Sequence, residues 1–384
     1  MVNSLLKKEE ILHEKKFDLT VGFCKSCFLV QLLRTVSPAV LYRDYVYFSS
    51  VSTSFLEHCK NTTRLLVKRF DLGAKSLVIE IASNDGAFLQ YVKELGIPVL
   101  GIEPAGNIAR VANERGIPTR ADFFNLSYAE KLHGEGIEAD LIYGANVLAH
   151  VPQILDFVRG LAVVLKARGS AVFEFPYIGG LFEGKFDTIY HEHVFYYSGL
   201  ALQNLFRTGG LELYDVEMIP VQGGSLRIFV AHPGVYPVSK NVLRMLNEER
   251  KKGWDKMETY KTIGEHAEEL KNKLLEFLDN AKKEGKRIAG YSAAAKGAVL
   301  LNFFGIGKNH LDFLVDKSPA KQGLYTPGTH LLIGPPEKVS KEKPDYLLIL
   351  AWNIADEVMA MEELKGFREA GGRFIIPIPE VKIV

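Results

Sequence analysis

Short β-branched runs alternating with helical stretches predict an α/β protein, with a mostly parallel sheet in the middle of the chain and a second α/β unit towards its carboxy end. Three observations carry this prediction. From Ser76, the runs SLVIEIA, PVLGIE, ADLIYGA and SAVFEFP recur with helical segments between them, and such alternation builds parallel strands covered on both faces. The later runs LELYDVEMI and SLRIFVA are joined by PVQGG, a turn too short for a parallel crossover, which predicts an antiparallel pair at the sheet's edge. After residue 284 the alternation restarts with RIAGY, LDFLVD, DYLLILAW and RFIIPIP.

In chain order, residues 1–65 are irregular and read as a small separate unit. They hold the close cysteine pair Cys24 and Cys27 in GFCKSCFLVQL, then the tyrosine-rich YRDYVYFSSVSTSF. Residues 66–238 form the middle domain. Its predicted helices are Gly86 to Leu95, NIARVANERG, and PQILDFVRGLAVVLKARG closed by glycine. Residues 239–284 are rich in Lys, Glu and Leu at helical spacing with few breakers, and read as helices linking two domains. Residues 285–384 are the second α/β domain.

Composition narrows the function. A chain of 384 residues accommodates two to three domains of ordinary size, and 47% hydrophobic with 24% charged residues is the balance of a globular protein. Its 47 basic side chains against 46 acidic ones leave +1, no field for a nucleic-acid partner or an anionic membrane. Three cysteines are too few for a disulfide framework, and no signal peptide or membrane-length apolar run is visible, so the expected location is the cytoplasm.

Open parallel sheets bind ligands beyond the carboxyl ends of their strands. After the first such strand comes Glu80-Ile-Ala-Ser-Asn-Asp-Gly86, where Asn84, Asp85 and Gly86 make a tight turn that offers backbone N–H groups at a helix start. It is not a GxGxxG fingerprint. The next strand ends at Glu103, about 20 residues on, where a carboxylate accepts hydrogen bonds from both hydroxyls of a ribose. Asp122 and Phe123 offer an acceptor and a ring to an adenine, and Asn146 ends a further strand. Acidic strand ends and Asn-Asp-Gly turns also serve α/β proteins with no such ligand, and spacing alone leaves the two readings level.

Several strings in a fixed order then resemble one family across nearly the whole chain. They are CKSCFLVQL, YVYFSSVSTSFLEH, EIASNDG, GIEPAGNIA, GANVLAHVPQ, FDTIYHEHVFYYS, GGSLRIFV, AAAKGAVLLN, KQGLYTPGTHLLI, AWN and GGRFIIPIP. The family is that of the sugar C-methyltransferases of deoxysugar pathways. The resemblance implies a class I, Rossmann-like S-adenosylmethionine domain between a zinc-binding amino-terminal domain and a carboxy-terminal domain that helps hold a nucleotide sugar. It implies that Glu80 through Gly86, with Ala82 and Asn84 among them, surround the methionine part of the cofactor. Glu103 then takes the ribose, Asp122 and Phe123 the adenine, and Asn146 the wall near the sulfonium. Two departures stand out. Gln222 precedes GGS where the family typically has a histidine, and only 23 residues precede Cys24, leaving no room for an earlier cysteine pair. Structural zinc wants four ligands, so Cys24 and Cys27 alone are an incomplete metal site; no motif recommends Cys59 or His13 as substitutes, and the expectation is a shortened chain or a lost metal.

Methylation at carbon needs an electron-rich carbon, which forms when a proton leaves beside a ketone. Tyr190-His191-Glu192-His193 supplies a base and donors for the enolate oxygen. His193 is the expected base from its matched position, with Tyr190 and Glu192 positioning it or the sugar. His150 approaches the cofactor's mouth from another strand, Tyr45 and Tyr47 close over the sugar, and His191 lines its site. Residues i and i+2 share no helical face, and neither HExxH nor a third ligand accompanies His191 and His193, so acid/base work is preferred to a catalytic metal. In the last domain, Tyr291, Ser292 and Lys296 in YSAAAKG suit a diphosphate at a helix start. The expected reaction is S-adenosylmethionine-dependent C-methylation of a nucleotide-linked 4-keto deoxysugar. O- or N-methylation of another small molecule, and a non-catalytic nucleotide-sugar or cofactor binder, are the alternatives.

Overall fold

The computed structural model describes residues 1–41, 48–220 and 224–384. The calls on Tyr45, Tyr47 and Gln222 lie outside the described residues. The middle domain is built on a seven-stranded sheet of β1 (Val78–Ile81), β2 (Val99–Ile102), β3 (Thr119–Arg120), β4 (Ala139–Ala145), β5 (Leu165–Pro176), β6 (Glu212–Ile219) and β7 (Ser225–Ala231), in the order β3-β2-β1-β4-β5-β7-β6. The first five are parallel, and β7 runs antiparallel to both β5 and β6. The order reverses between β1 and its neighbours, which opens a crevice at their carboxyl ends.

One element differs from the sequence expectation. LKARG, expected to close a helix, is the start of β5, because the helix already ends at Val164 and Leu165 pairs with Ala139. The antiparallel pair closes one edge of the sheet as the short PVQGG turn predicts, with β6 outermost and β7 between it and β5. Every side chain of β7 is buried, which a half-exposed edge strand does not permit.

Helix α1 (Thr53–Phe70) is capped by the Ser52 hydroxyl on the Phe55 N–H and ends at left-handed Asp71. Its buried residues Cys59, Thr62, Thr63 and Leu66 recur at helical spacing and lie on one face of the sheet, with Val78, Phe88, Tyr143, Val172 and Phe229. Each such large apolar side chain stabilises the domain by ~1.5–3 kcal/mol. α1 crosses residue 65 and belongs by its packing to the sheet behind it. A second cluster, which includes Phe157, Phe173 and Leu202, fills the other face.

The amino-terminal segment is joined to this domain. Strands Val21–Phe23 and Val30–Leu32 flank the CKSC turn, and the second of them pairs with Phe195–Tyr196 of the middle domain. Helices Lys240–Lys251 and α2 (Met257–Lys283) lead to the last domain. Its six-stranded sheet is formed by β8 (Ile288–Tyr291), β9 (Phe313–Val315), β10 (Ile333–Gly334), β11 (Tyr346–Ile349), β12 (Arg373–Ile376) and β13 (Lys382–Ile383), in the order β10-β9-β8-β11-β12-β13. It too reverses beside its first strand, and α3 (Ala295–Phe304) follows β8. No helix among the described residues is long and apolar enough to cross a membrane.

Candidate functional site

Beyond β1, the chain turns through three left-handed residues, Ala82 at φ +56°, Asn84 at +49° and Gly86 at +81°. Gly86 also lies so close to Ile117 that a Cβ would stand 2.9 Å from the Ile117 side chain, so glycine is required there both by conformation and by space. Glu103, at the end of β2, accepts the Asn84 and Ala105 N–H groups, each at 2.9 Å, and so fixes the turn against the next strand. Burial pushes its carboxyl up, and those two N–H groups work against the rise. Glu80 is buried below the turn with one oxygen lacking a partner among the described residues. Burial, reinforced by the nearby Glu103 and Asp85 charges, raises its carboxyl well above the usual range.

From above, the amino-terminal segment clamps the same turn. The Ser49 N–H donates to Asn84 Oδ1 at 2.9 Å, and Ser50 donates to Asp85 through both its N–H and its hydroxyl. Arg115 pairs with Asp85 at 2.8 Å. Asp122 and Phe123 are exposed at the rim, and the Asp122 carboxylate accepts the Phe123 N–H. Asn146 is left-handed at φ +55°, and its N–H donates to the Glu174 carbonyl. Strained non-glycine residues gathered at strand ends are typical of ligand-binding sites.

The residues present fit S-adenosylmethionine. An amino acid joined to a nucleoside needs a turn that its backbone can approach, acceptors for the ribose and a flat apolar rim. Ala82–Gly86, Glu103 and Phe123 are residues of the kinds these needs call for, in that order.

Behind Asn146, a buried ion network ties α1 to the sheet. Glu174 of β5 accepts Arg227 Nε of β7 at 2.7 Å and meets His58 Nε2 of α1 at 2.6 Å, while Arg227 also reaches Thr62 and Glu217. Burial raises the Glu174 carboxyl, but His58 and the Arg227 charge outweigh it and hold it below its ordinary value. Each buried charge in the network has more than one partner, so Glu174 stays bonded through His58 or Arg227 if the other is lost.

The second centre lies where three parts of the chain meet. The His193 ring is buried and its Nδ1 stands 2.8 Å from the Thr188 carbonyl. A carbonyl only accepts, so Nδ1 carries the hydrogen and Nε2 presents its lone pair. That lone pair faces the Tyr190 hydroxyl at 2.8 Å, and the two rings lie 4.0 Å apart. Burial, only partly offset by the Thr188 bond and reinforced by the Lys296 charge, pushes the imidazole down to about 4. His150 meets His193 edge-on at 5.0 Å, and burial, reinforced by that neighbour, pushes its imidazole well below the ordinary histidine value.

The remaining two residues of the predicted cluster face away from this pair. Glu192 accepts Asn3 Nδ2 at 2.6 Å, and His191 donates from Nε2 to the Phe17 carbonyl at 3.2 Å, so both contact the amino-terminal segment. The segment also runs across the last domain. Leu6 exchanges backbone hydrogen bonds with Tyr325, and Glu14 meets the Gly328 N–H and His330, each at 2.8 Å. Val2 and Leu5 cover a small cavity against Ser292, Ala293 and Gly297 at the start of α3. Ser292 itself is left-handed at φ +79°. Tyr291 is turned away from that cavity towards Met361, and burial raises its phenol to about 12. The Lys296 ammonium lies 5.3 Å over the Trp352 ring.

Sequence reasoning missed Ser49, Ser50, Arg115, Asp187, Thr188 and Trp352. Asp187 and Trp352 stand within the strings FDTIYHEH and AWN, yet neither string says that the two residues meet. Cys24 and Cys27 form the turn between two strands, with left-handed Phe28 behind them. No group of three or more His, Cys, Asp or Glu residues able to hold a metal occurs among the described residues, so this pair does not fit a structural zinc.

A sheet of this order with one reversed strand, and a left-handed turn facing a strand-end carboxylate, define an S-adenosylmethionine-dependent methyltransferase. Residues 53–216 match a methyltransferase domain, and residues 220–379 match the C-methyltransferase C-terminal domain. The C-methyltransferase NovU of Streptomyces niveus is 36% identical over 384 residues, covering 100% of this chain and 91% of that protein. This chain therefore belongs to the C-methyltransferase family. Among solved structures, magnesium protoporphyrin IX methyltransferase from Synechocystis PCC 6803 is 11% identical over 46% of this chain and 83% of its own, with a TM-score of 0.37. An S-adenosylmethionine-dependent methyltransferase from Clostridium acetobutylicum ATCC 824 is 8% identical over 47% of this chain and 92% of its own, with a TM-score of 0.37.

Proposed function

We propose that this C-methyltransferase acts on a nucleotide-linked 4-keto deoxysugar, taking a proton from the carbon beside the ketone and methylating that carbon. The observation that carries the reading is His193, a buried imidazole whose Nδ1–H is tied to a backbone carbonyl and whose Nε2 lone pair faces a phenol. A desolvated neutral base with one fixed tautomer suits removal of a carbon-bound proton, for which water competes poorly once excluded.

S-adenosylmethionine supplies the electrophilic methyl on a sulfonium, already activated. The protein's residues generate the nucleophile and hold it in line. As the sugar C–H approaches Nε2, it displaces the Tyr190 hydroxyl hydrogen from that lone pair. The C–H electron pair becomes the C=C bond of the enolate as the carbonyl π pair moves to the ketone oxygen, the proton goes to Nε2, and the released phenol donates to the developing enolate oxygen. Lys296, at the start of α3, offers its charge to the diphosphate of the nucleotide. The fit of a nucleotide sugar is supported by geometry: the Lys296 ammonium lies over the Trp352 ring, and Trp352 is bonded to Asp187 of the loop that carries His193.

The test is turnover in deuterated water with a nucleoside-diphosphate 4-keto-6-deoxyhexose deuterated or protonated beside the ketone. The reading expects that hydrogen to be lost in every methylated product. Its retention, or methyl found on oxygen, would sink the proposal.

A further inference from the structure

The loop that bears the base is docked on the last domain from two sides. It opens with a short helical turn, Phe186–Thr188. Phe186 is buried in the core of the carboxy-terminal domain, with its ring 5.3 Å from Phe303 and 5.4 Å from Phe304 of α3. The next residue, Asp187, is fully buried, and its Oδ2 accepts Trp352 Nε1–H at 2.5 Å from the loop after β11. The residue after that, Thr188, supplies the carbonyl that holds His193 Nδ1–H. Three consecutive residues thus connect the last domain's core to the tautomer and aim of the imidazole. A buried carboxylate is costly unless it is bonded, and burial pushes this carboxyl up against the opposing effects of Lys296 and Trp352. An apolar residue here would pack at lower cost, so the carboxylate calls for a reason beyond packing.

We propose that Asp187 is a positioning residue: through its bond to Trp352 it fixes the Thr188 carbonyl, and with it the orientation of His193. The inference rests on the reading of His193 as the base. It adds that the carboxy-terminal domain, besides contacting substrate, sets the geometry of proton removal from outside the cleft. Displacing a reacting group by about 1 Å costs on the order of 10²-fold in rate, so a single bond behind the loop has leverage over the chemistry.

The experiment uses the full chain in three variants. Trp352→Phe keeps the ring in the core and removes the donor, Asp187→Ala removes the acceptor, and Asp187→Asn keeps an acceptor oxygen without the charge. In protein carrying 15N-histidine, the His193 imidazole N–H resonance is assigned by its loss in His193→Asn. That resonance is expected to shift or to exchange with water in Trp352→Phe and Asp187→Ala, and to persist in Asp187→Asn. With a nucleoside-diphosphate 4-keto-6-deoxyhexose, kcat should fall by about 10²-fold in the first two, no further in their combination, with KM within a few-fold. An unchanged resonance and unchanged kcat in Trp352→Phe and Asp187→Ala would overturn the proposal. So would a loss in Asp187→Asn as large as in Asp187→Ala. The resonance needs no substrate, so it decides this inference even where wild-type protein fails to turn over the sugar, an outcome that counts against the reading of the reaction instead.

Discussion

At the donor turn, Asn84 bonds Glu103 19 residues away, Asp85 pairs with Arg115 30 residues away, and the serine clamp reaches across 35. Around the base, Asn3 meets Glu192 across 189 residues, Phe17 meets His191 across 174, and Asp187 meets Trp352 across 165. The first centre is made by one βαβ unit and a short flap. The second exists only after the amino-terminal segment and the last domain have docked on the middle one. Closing long loops costs entropy before any contact repays it, so the base loop depends on the whole assembly while the donor turn depends on its own domain. Donor binding and proton removal should therefore be separable by mutation.

The largest expected separation comes from His193→Asn. It should lower kcat by about 10²- to 10⁴-fold, while the Kd for S-adenosylhomocysteine by calorimetry stays within about twofold. A collapse of donor affinity in the same variant would mean that the two centres are one unit. The opposite lesion is Glu103→Ala. It removes the acceptor of two buried N–H groups, each bond to a charged group being worth about 1.5–3 kcal/mol, so the S-adenosylhomocysteine Kd should rise by about 10- to 100-fold. Turnover at saturating donor should change little, and an equal loss in kcat would break the comparison.

The pH profile sharpens it further. On the proposed reading the active form of His193 is the neutral one, and its imidazole is pushed down to about 4 by burial and by the Lys296 charge. The acid limb of kcat/KM, which reports the free enzyme, should therefore lie below the ordinary histidine range, leaving the rate flat from neutrality to about pH 5. Lys296→Met removes a cation that favours the neutral ring and should move the limb upward. The smallest effect is expected from Glu14→Gln, which keeps an acceptor for Gly328 but drops the charge facing His330. Amide exchange at Leu6 and Tyr325 should quicken and KM for the nucleotide sugar rise a few-fold, with kcat within about twofold. Unchanged exchange would detach this segment from the substrate side.

Much of the donor centre was legible because its signals are local. Glu80, the Asn84–Gly86 turn and Glu103 lie at or near strand ends that hydrophobic periodicity locates, and the structure bonds the Asn84 N–H to Glu103. Its roof was not legible, since Ser49 and Ser50 are ordinary polar residues until α1 docks. At the proposed base, the Tyr190 and His193 pair stands out through the family resemblance of FDTIYHEHVFYYS, and the structure brings the two rings together. The same string suggested Glu192 and His191 as their companions, but neighbours in sequence point in different directions on an irregular loop, and these two turn to the amino-terminal segment. Helix and strand ends were misjudged where LKARG, a helix-friendly stretch, was drawn into β5 by pairing with β4.

By itself the amino-acid sequence determined the two α/β domains, the strand ends at which ligands gather and the residue types able to bind a nucleoside and move a proton. These follow from periodicity, turn chemistry and side-chain acidity, all of which act over a few residues. Tertiary structure alone decided which imidazole lost its water, which nitrogen of it kept the hydrogen, and that a tryptophan far along the chain stands behind it. Desolvation and hydrogen-bond direction depend on what packs around a group: Thr188, Tyr190 and His150 close on the ring itself, while the loop that holds them is bonded to Trp352, 165 residues on, and to Asn3.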